Sequence, residues 1–283
     1  MTRLDVTARW LERSRRLGAR VEAARPRHGT VDFGFRLLER DSSIGGGLLA
    51  GALAYRLFVL LLPTSLLLVS GLGLYAGAAD KSTRQVTREA GLHGLFASNV
   101  AATASGGARW LVFILMIPAV LYAAAKLYRA LVVVHGLVWH STGRAGRTTR
   151  RGVAVLLGVL LATVVSTEIV GWIRRHDQLG GAAALVVYTV VVGGAWLALS
   201  LQLPNGGARW MSLLPGAALF GVGLLGVNVF NVYVTARLVE DRANTYGALG
   251  VATALLFSLV LVGRLAVVSA ELNAVLYRRH GDV

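Results

Sequence analysis

Six ionisable residues, Arg56, Lys126, Arg129, Glu168, Arg264 and Glu271, stand inside long apolar stretches, and Asn228 and Asn231 stand in another. An ionisable group deep in a membrane-spanning helix costs several kcal/mol unless it is paired, wetted or turned toward a cavity, so these positions are candidates for function. The set is unbalanced. Two carboxylates cannot neutralise four cations, so a cavity lined by all six would be net positive and would favour an anion. Arg264 is the sharpest case, because residues 246–277 are otherwise almost wholly apolar up to Glu271, two helical turns later.

Other chemistries find no residues to carry them. The chain has no cysteine, which removes disulfides, thiolate metal ligands and cysteine nucleophiles together. His28, His93, His135, His140, His176 and His280 are scattered without a His-Glu-x-x-His spacing. Gly45-Gly46-Gly47 lacks the Gly-Lys-Ser/Thr that would make it a phosphate loop, and there is no Walker motif for ATP hydrolysis. The sequence therefore predicts no metal, no cofactor and no catalytic residue; the protein is not expected to be an enzyme.

The elements that must position the charges are membrane helices. Of 283 residues, 55% are hydrophobic and 15% charged, far more apolar surface than one soluble core could cover. The net charge of +15 comes almost entirely from arginine, with Lys81 and Lys126 as the lysines. In a soluble protein such basicity would suggest nucleic acid; here it marks the positive cytoplasmic loops of a membrane protein, and no nucleic-acid partner is expected. The fold class predicted is an all-α integral membrane protein, a bundle of six transmembrane helices at about 45–75, 109–139, 152–172, 180–203, 211–236 and 246–277. The membrane domain, 45–277, follows a basic N-terminal region, 1–44, and leads to a short tail, 278–283. In the N-terminal region Trp10, Leu17 and Val21 form one amphipathic pattern and Val31, Phe35 and Leu38 a second, both able to lie along the membrane surface, with a solvated basic tail as the alternative for the first. Residues 76–108, less apolar and carrying Asp80, Lys81, Arg84, Arg88 and Glu89, are expected to form a short helical segment outside the bilayer. With the N-terminus inside, cytoplasmic segments hold about 17 Lys and Arg against about seven opposite, which puts both termini in the cytoplasm.

At 1.5 Å rise per residue from each cytoplasmic end, Arg56 lies at roughly 16 Å, Arg129 at about 15 Å, Lys126 at about 20 Å and Arg264 at about 18 to 20 Å. Glu168 falls at about 24 Å and Glu271 at about 8 to 9 Å, so the four cations share a depth near the midplane with one acid on either side. Arg264 and Glu271 share a helix face, but about 10 Å of axial rise keeps them from an easy direct pair. Duller readings compete: Lys126 and Arg129 could snorkel to the inner interface, Glu271 could snorkel to cytoplasmic water, and Glu168 fits an ion pair better than a proton relay. Asn228 and Asn231, three residues apart, suit hydrogen bonding between helices, with the lining of a substrate path as the alternative. Gly221, Gly223 and Gly226 read as close-packing sites rather than hinges. The pentapeptide Gly-Gly-Ala-Arg-Trp occurs at 106–110 and again at 206–210, directly before spans two and five, where an inverted three-plus-three repeat would place it.

Three stretches resemble the YihY/BrkB family of bacterial inner-membrane proteins, its YhjD-like branch included. They are Leu49-Ala50-Gly51-Ala52-Leu53-Ala54-Tyr55 with Leu61-Leu62-Pro63, Leu203-Pro204-Asn205 running to Leu214-Pro215-Gly216-Ala217, and Tyr246-Gly247-Ala248-Leu249-Gly250 with Ala270-Glu271-Leu272-Asn273-Ala274. The resemblance implies six spans in the bacterial plasma (inner) membrane and an envelope-associated role, such as export of a lipid or another amphiphile. It also brings an old ribonuclease BN label, which nothing in the residues supports. After Tyr55 the family commonly continues with another aromatic or a small residue, whereas this chain has Arg56.

The function expected is that of a transporter or flippase-like exporter of an anionic lipid or amphiphile, with Arg56 and Arg264 engaging the headgroup and Lys126, Arg129, Glu168, Glu271, Asn228 and Asn231 around them. The runner-up is a non-catalytic envelope assembly or scaffold subunit whose buried charges pair with a partner's helix. Membrane lipids are the expected partners, and a homo-oligomer or an envelope protein partner is compatible with either reading.

Overall fold

The computed structural model describes residues 29–78, 106–140, 149–176, 180–231 and 248–281. The segment expected at 76–108 and the pattern of Trp10, Leu17 and Val21 lie wholly or mostly outside them. Every regular element among the described residues is a helix: α1 (Gly29–Ile44), α2 (Gly46–Ala78), α3 (Gly106–Trp139), α4 (Thr149–His176), α5 (Gly180–Ser200), α6 (Trp210–Phe230) and α7 (Ala248–Gly281). Six of them, α2 to α7, are long and apolar enough to cross a membrane.

The chain divides into two compact units, Met1–Gly45 and Gly46–Val283. In the first, α1 carries an Arg36–Asp32 ion pair one turn apart on an exposed face, the kind of contact that adds a few tenths of a kcal/mol to a helix. It ends where Gly45 turns left-handed (φ 67°) and its N–H bonds the Ser42 carbonyl, a conformation that favours glycine.

In the second unit small residues decide how the helices meet. Helices in lipid gain little from the hydrophobic effect and associate through close packing, which small residues permit. On α2, Ala50 and Ala54 are buried, and a Cβ placed on Gly263 of α7 would stand 2.5 Å from the Ala50 carbonyl oxygen. Between α5 and α6, a Cβ on Gly221 would stand 2.6 Å from the Thr189 carbonyl oxygen. A Cβ on Gly223 would press into the Leu265 side chain of α7, while one on Gly226 meets nothing within 4 Å. Of the three glycines read as packing sites, two therefore lie in helix contacts.

The two Gly-Gly-Ala-Arg-Trp segments take different conformations. The first is helical and opens α3. In the second, Gly206 and Gly207 are left-handed (φ 62° and 79°), the Gly207 N–H bonds Asn205 Oδ1, and helix begins only at Trp210. Identical residues serve as a helix in one place and as a turn in the other, so local conformation gives no support to an inverted repeat.

Candidate functional site

Helices α2, α3 and α7 pack mutually and carry all four intramembrane cations. Gly71, late in α2, faces the Phe113 ring, early in α3, so this extensively packed pair runs antiparallel. Counted from that contact at 1.5 Å per residue, Arg56 lies at about 22 Å, Lys126 at about 20 Å and Arg129 at about 24 Å. The three cations therefore share one level of the α2–α3 pair. Neither helix contains a carboxylate.

Arg264 belongs to a second contact. The Trp139 and Tyr277 rings lie 5.6 Å apart, and Arg278 Nη2 donates to the Trp139 carbonyl at 3.4 Å. Measured back from this junction, Lys126 and Arg264 each lie about 20 Å along their own helices. On α2, however, Gly263 meets Ala50 and Ala54, so Arg264 stands about 7 Å short of Arg56 along that helix. Arg56 is grouped more closely with Lys126 and Arg129 than with Arg264.

The cations are not sealed in. Arg129 is exposed and Arg56, Lys126 and Arg264 are half-buried. The Arg56 guanidinium carbon lies 5.9 Å from the Tyr55 ring centre and Lys126 Nζ 5.1 Å from that of Tyr122, and both rings are largely exposed. These distances suit cation–π attraction, which stabilises a cation without neutralising it. Glu271 is the opposite case. It is fully buried at 0% exposure, so its carboxyl is covered by protein rather than reaching water. Glu168 lies in α4 with its side chain outside the described positions.

Sequence reasoning missed the best-built polar junction, between α6 and α7. Pro215 sits within α6 and cannot donate to the carbonyl one turn back, loosening that turn. The Asn273 side chain of α7 docks beside it: its Oδ1 accepts from the Gly216 N–H at 2.7 Å, and its Nδ2 donates to the Leu213 carbonyl at 3.1 Å. The two partners, one donor and one acceptor, fix the amide orientation. A Cβ on Gly216 would press into the Ser269 carbonyl oxygen and the Asn273 amide, so only glycine permits the approach. The available signal was a proline-glycine pair early in one helix and a buried asparagine in another.

Farther along the same pair, Asn231 Oδ1 accepts from Ser258 Oγ at 2.6 Å, a helix-to-helix bond. Asn228, three residues earlier, is half-buried and its carbonyl accepts the Asn231 N–H. Ser258→Ala is expected to cost about 0.6 to 1.7 kcal/mol, seen as a fall of a few degrees in the thermal unfolding midpoint.

A second polar pair lies between α3 and α5. His135 Nδ1 donates to the Leu131 carbonyl at 3.1 Å, given the tautomer this contact requires. Its Nε2 is then an acceptor, buried without a hydrogen-bond partner among the described residues, and the Trp196 Nε1–H donor is likewise buried without one. The two rings lie 6.2 Å apart, and Trp196 stacks on Phe220 of α6 at 3.9 Å. Among the described residues no group of three His, Asp or Glu comes together as a metal site.

The family model described as Virulence factor BrkB matches residues 38–282. No curated protein and no solved structure matches the chain. The match spans all six apolar helices and includes each of the three stretches that carried the resemblance. The chain is therefore a multi-pass membrane protein, and it belongs to the Virulence factor BrkB family.

Proposed function

We propose that this protein moves an anionic lipid or amphiphile across the bacterial inner membrane without catalysing a covalent step, with both termini in the cytoplasm. Arg56 and Arg264 engage the anionic headgroup, and Lys126 and Arg129 extend the positive surface. The observation that carries the reading is the placement of four cations inside the spans of three mutually packed helices, every one of them at least partly exposed. A cation open to a low-dielectric medium is expensive, and an anionic ligand passing it lowers that cost. Buried Glu271 moderates the charge on the α7 side.

The test is lipid transfer between leaflets in reconstituted vesicles, with headgroup-labelled phosphatidylglycerol set against phosphatidylcholine. The double variant Arg56→Leu, Arg264→Leu is expected to lose transfer of the anionic lipid at least tenfold, about 1.4 kcal/mol in the barrier, while keeping its thermal unfolding midpoint. An unchanged transfer rate sinks the reading.

A further inference from the structure

The grouping of Arg56 with Lys126 and Arg129, rather than with Arg264, locates one step of this path. We infer that the outer face of the α2–α3 pair holds the phosphate of an anionic phospholipid, entered sideways from the bilayer and drawn below the level of the surrounding headgroups. The inference rests on the proposed function for its purpose but not for its chemistry.

Four observations converge. The three cations share one level on an antiparallel pair, by the contact of Gly71 with Phe113. The two helices that bear them contain no Asp or Glu, so charge compensation must come from outside the pair. None of the three makes an ion pair among the described residues; Arg56 and Lys126 lie instead against the Tyr55 and Tyr122 rings, which leave the charge in place. Both helices are open at this level: Tyr55 on α2 and Tyr122 on α3 are 59% and 66% exposed, Arg129 is exposed, and Val133 one turn beyond it is 59% exposed. What lies against an exposed face of a membrane helix is lipid, and phosphate is the anion that lipid brings. Arginine presents a planar fork of donors to phosphate oxygens and lysine a mobile point charge, so Arg129 and Arg56 can hold the phosphate from two sides while Lys126 adds charge. A protein carboxylate in the same place would supply one negative charge against three.

Native mass spectrometry of the full chain, released from nanodiscs of equal phosphatidylglycerol and phosphatidylcholine, reads the site directly. Retention of phosphatidylglycerol over phosphatidylcholine is expected by about tenfold. Lys126→Gln with Arg129→Gln should abolish that preference at an unchanged unfolding midpoint, while Arg129→Lys keeps most of it. Arg209→Gln, which removes an exposed arginine in the α5–α6 turn, should leave it unaltered. Equal retention of the two lipids by the unmodified protein overturns the inference. So does a preference that survives loss of Lys126 and Arg129, or a lipid-free dimer that dissociates on the same substitutions, because a second copy then covers the face. Loss of the preference with transfer intact upholds the site and removes it from the transport path. An unaltered preference, with transfer lost in the Arg56 and Arg264 double variant, overturns the site and leaves the proposed function standing.

Discussion

Gly216→Val is expected to disrupt the bundle more than any change to its charged residues. A Cβ at this position presses into the Ser269 carbonyl oxygen, which is backbone and cannot swing aside as a flexible side chain would, and into the amide of Asn273. Relief requires α6 and α7 to separate, which also breaks the Asn273 bonds to Gly216 N–H and the Leu213 carbonyl. Overpacking of a close-packed contact costs about 1 to 3 kcal/mol, and an unsatisfied buried polar group adds about 1 to 3 kcal/mol. The sum corresponds to a drop of roughly 5 to 25 °C in the unfolding midpoint, or to failure to accumulate in the membrane. Gly226→Ala is the matched control in the same helix. Its Cβ meets nothing within 4 Å, and replacing a helical glycine should leave the midpoint unchanged or raise it slightly. If both variants behave alike, the close approach at Gly216 is not what holds α6 to α7.

Asn273→Leu is expected to have the second largest effect. Leucine keeps the branching of asparagine but is bulkier, so two losses combine: the side chain overpacks against Gly216, and the Asn273 bonds to Gly216 N–H and the Leu213 carbonyl both go. A loss of about 2 to 4 kcal/mol follows from two buried hydrogen bonds lost and a tighter contact, a fall of roughly 5 to 15 °C in the midpoint. Asn273→Asp separates the two bonds. Aspartate can still accept from Gly216 N–H but, when ionised, cannot donate to Leu213, so it should fall below the native protein even where its acceptor is preserved. Equal stability of the native protein, the leucine variant and the aspartate variant would remove the junction from the account of stability.

Much of the architecture was legible because membrane helices announce themselves. Long apolar runs, arginine-rich segments between them and the absence of cysteine lead from composition to an all-helical multi-pass protein with little help from packing. The candidate charges were also legible, since any Arg, Lys or Glu in such a run is conspicuous. Their grouping was not. Depth estimated from the span ends placed four cations at one level; the Trp139–Tyr277 junction keeps Lys126 and Arg264 level, whereas the contacts of Gly71 with Phe113 and of Gly263 with Ala50 group Arg56 with Lys126 and Arg129 and put Arg264 about 7 Å from Arg56 along α2. Helices cross and tilt, so equal distance from an end does not mean equal position at a contact.

Glu271 and Asn273 show the same division. In the sequence the carboxylate was the conspicuous residue and the asparagine two positions later was its neighbour. In the structure both are buried, but Asn273 reaches across to α6, where Gly216 leaves room for its amide to bond the backbone. The Gly-Gly-Ala-Arg-Trp repeat goes the other way: the letters recur and the conformations differ, because the helix or the turn is chosen by what surrounds each copy. By itself the sequence determined which segments leave water and which charges they take with them, since transfer into a bilayer depends on the composition of each segment alone. Only the tertiary structure decided which faces meet, which charges stay open to lipid and which asparagine closes a helix junction, since these depend on contacts between residues far apart in the chain.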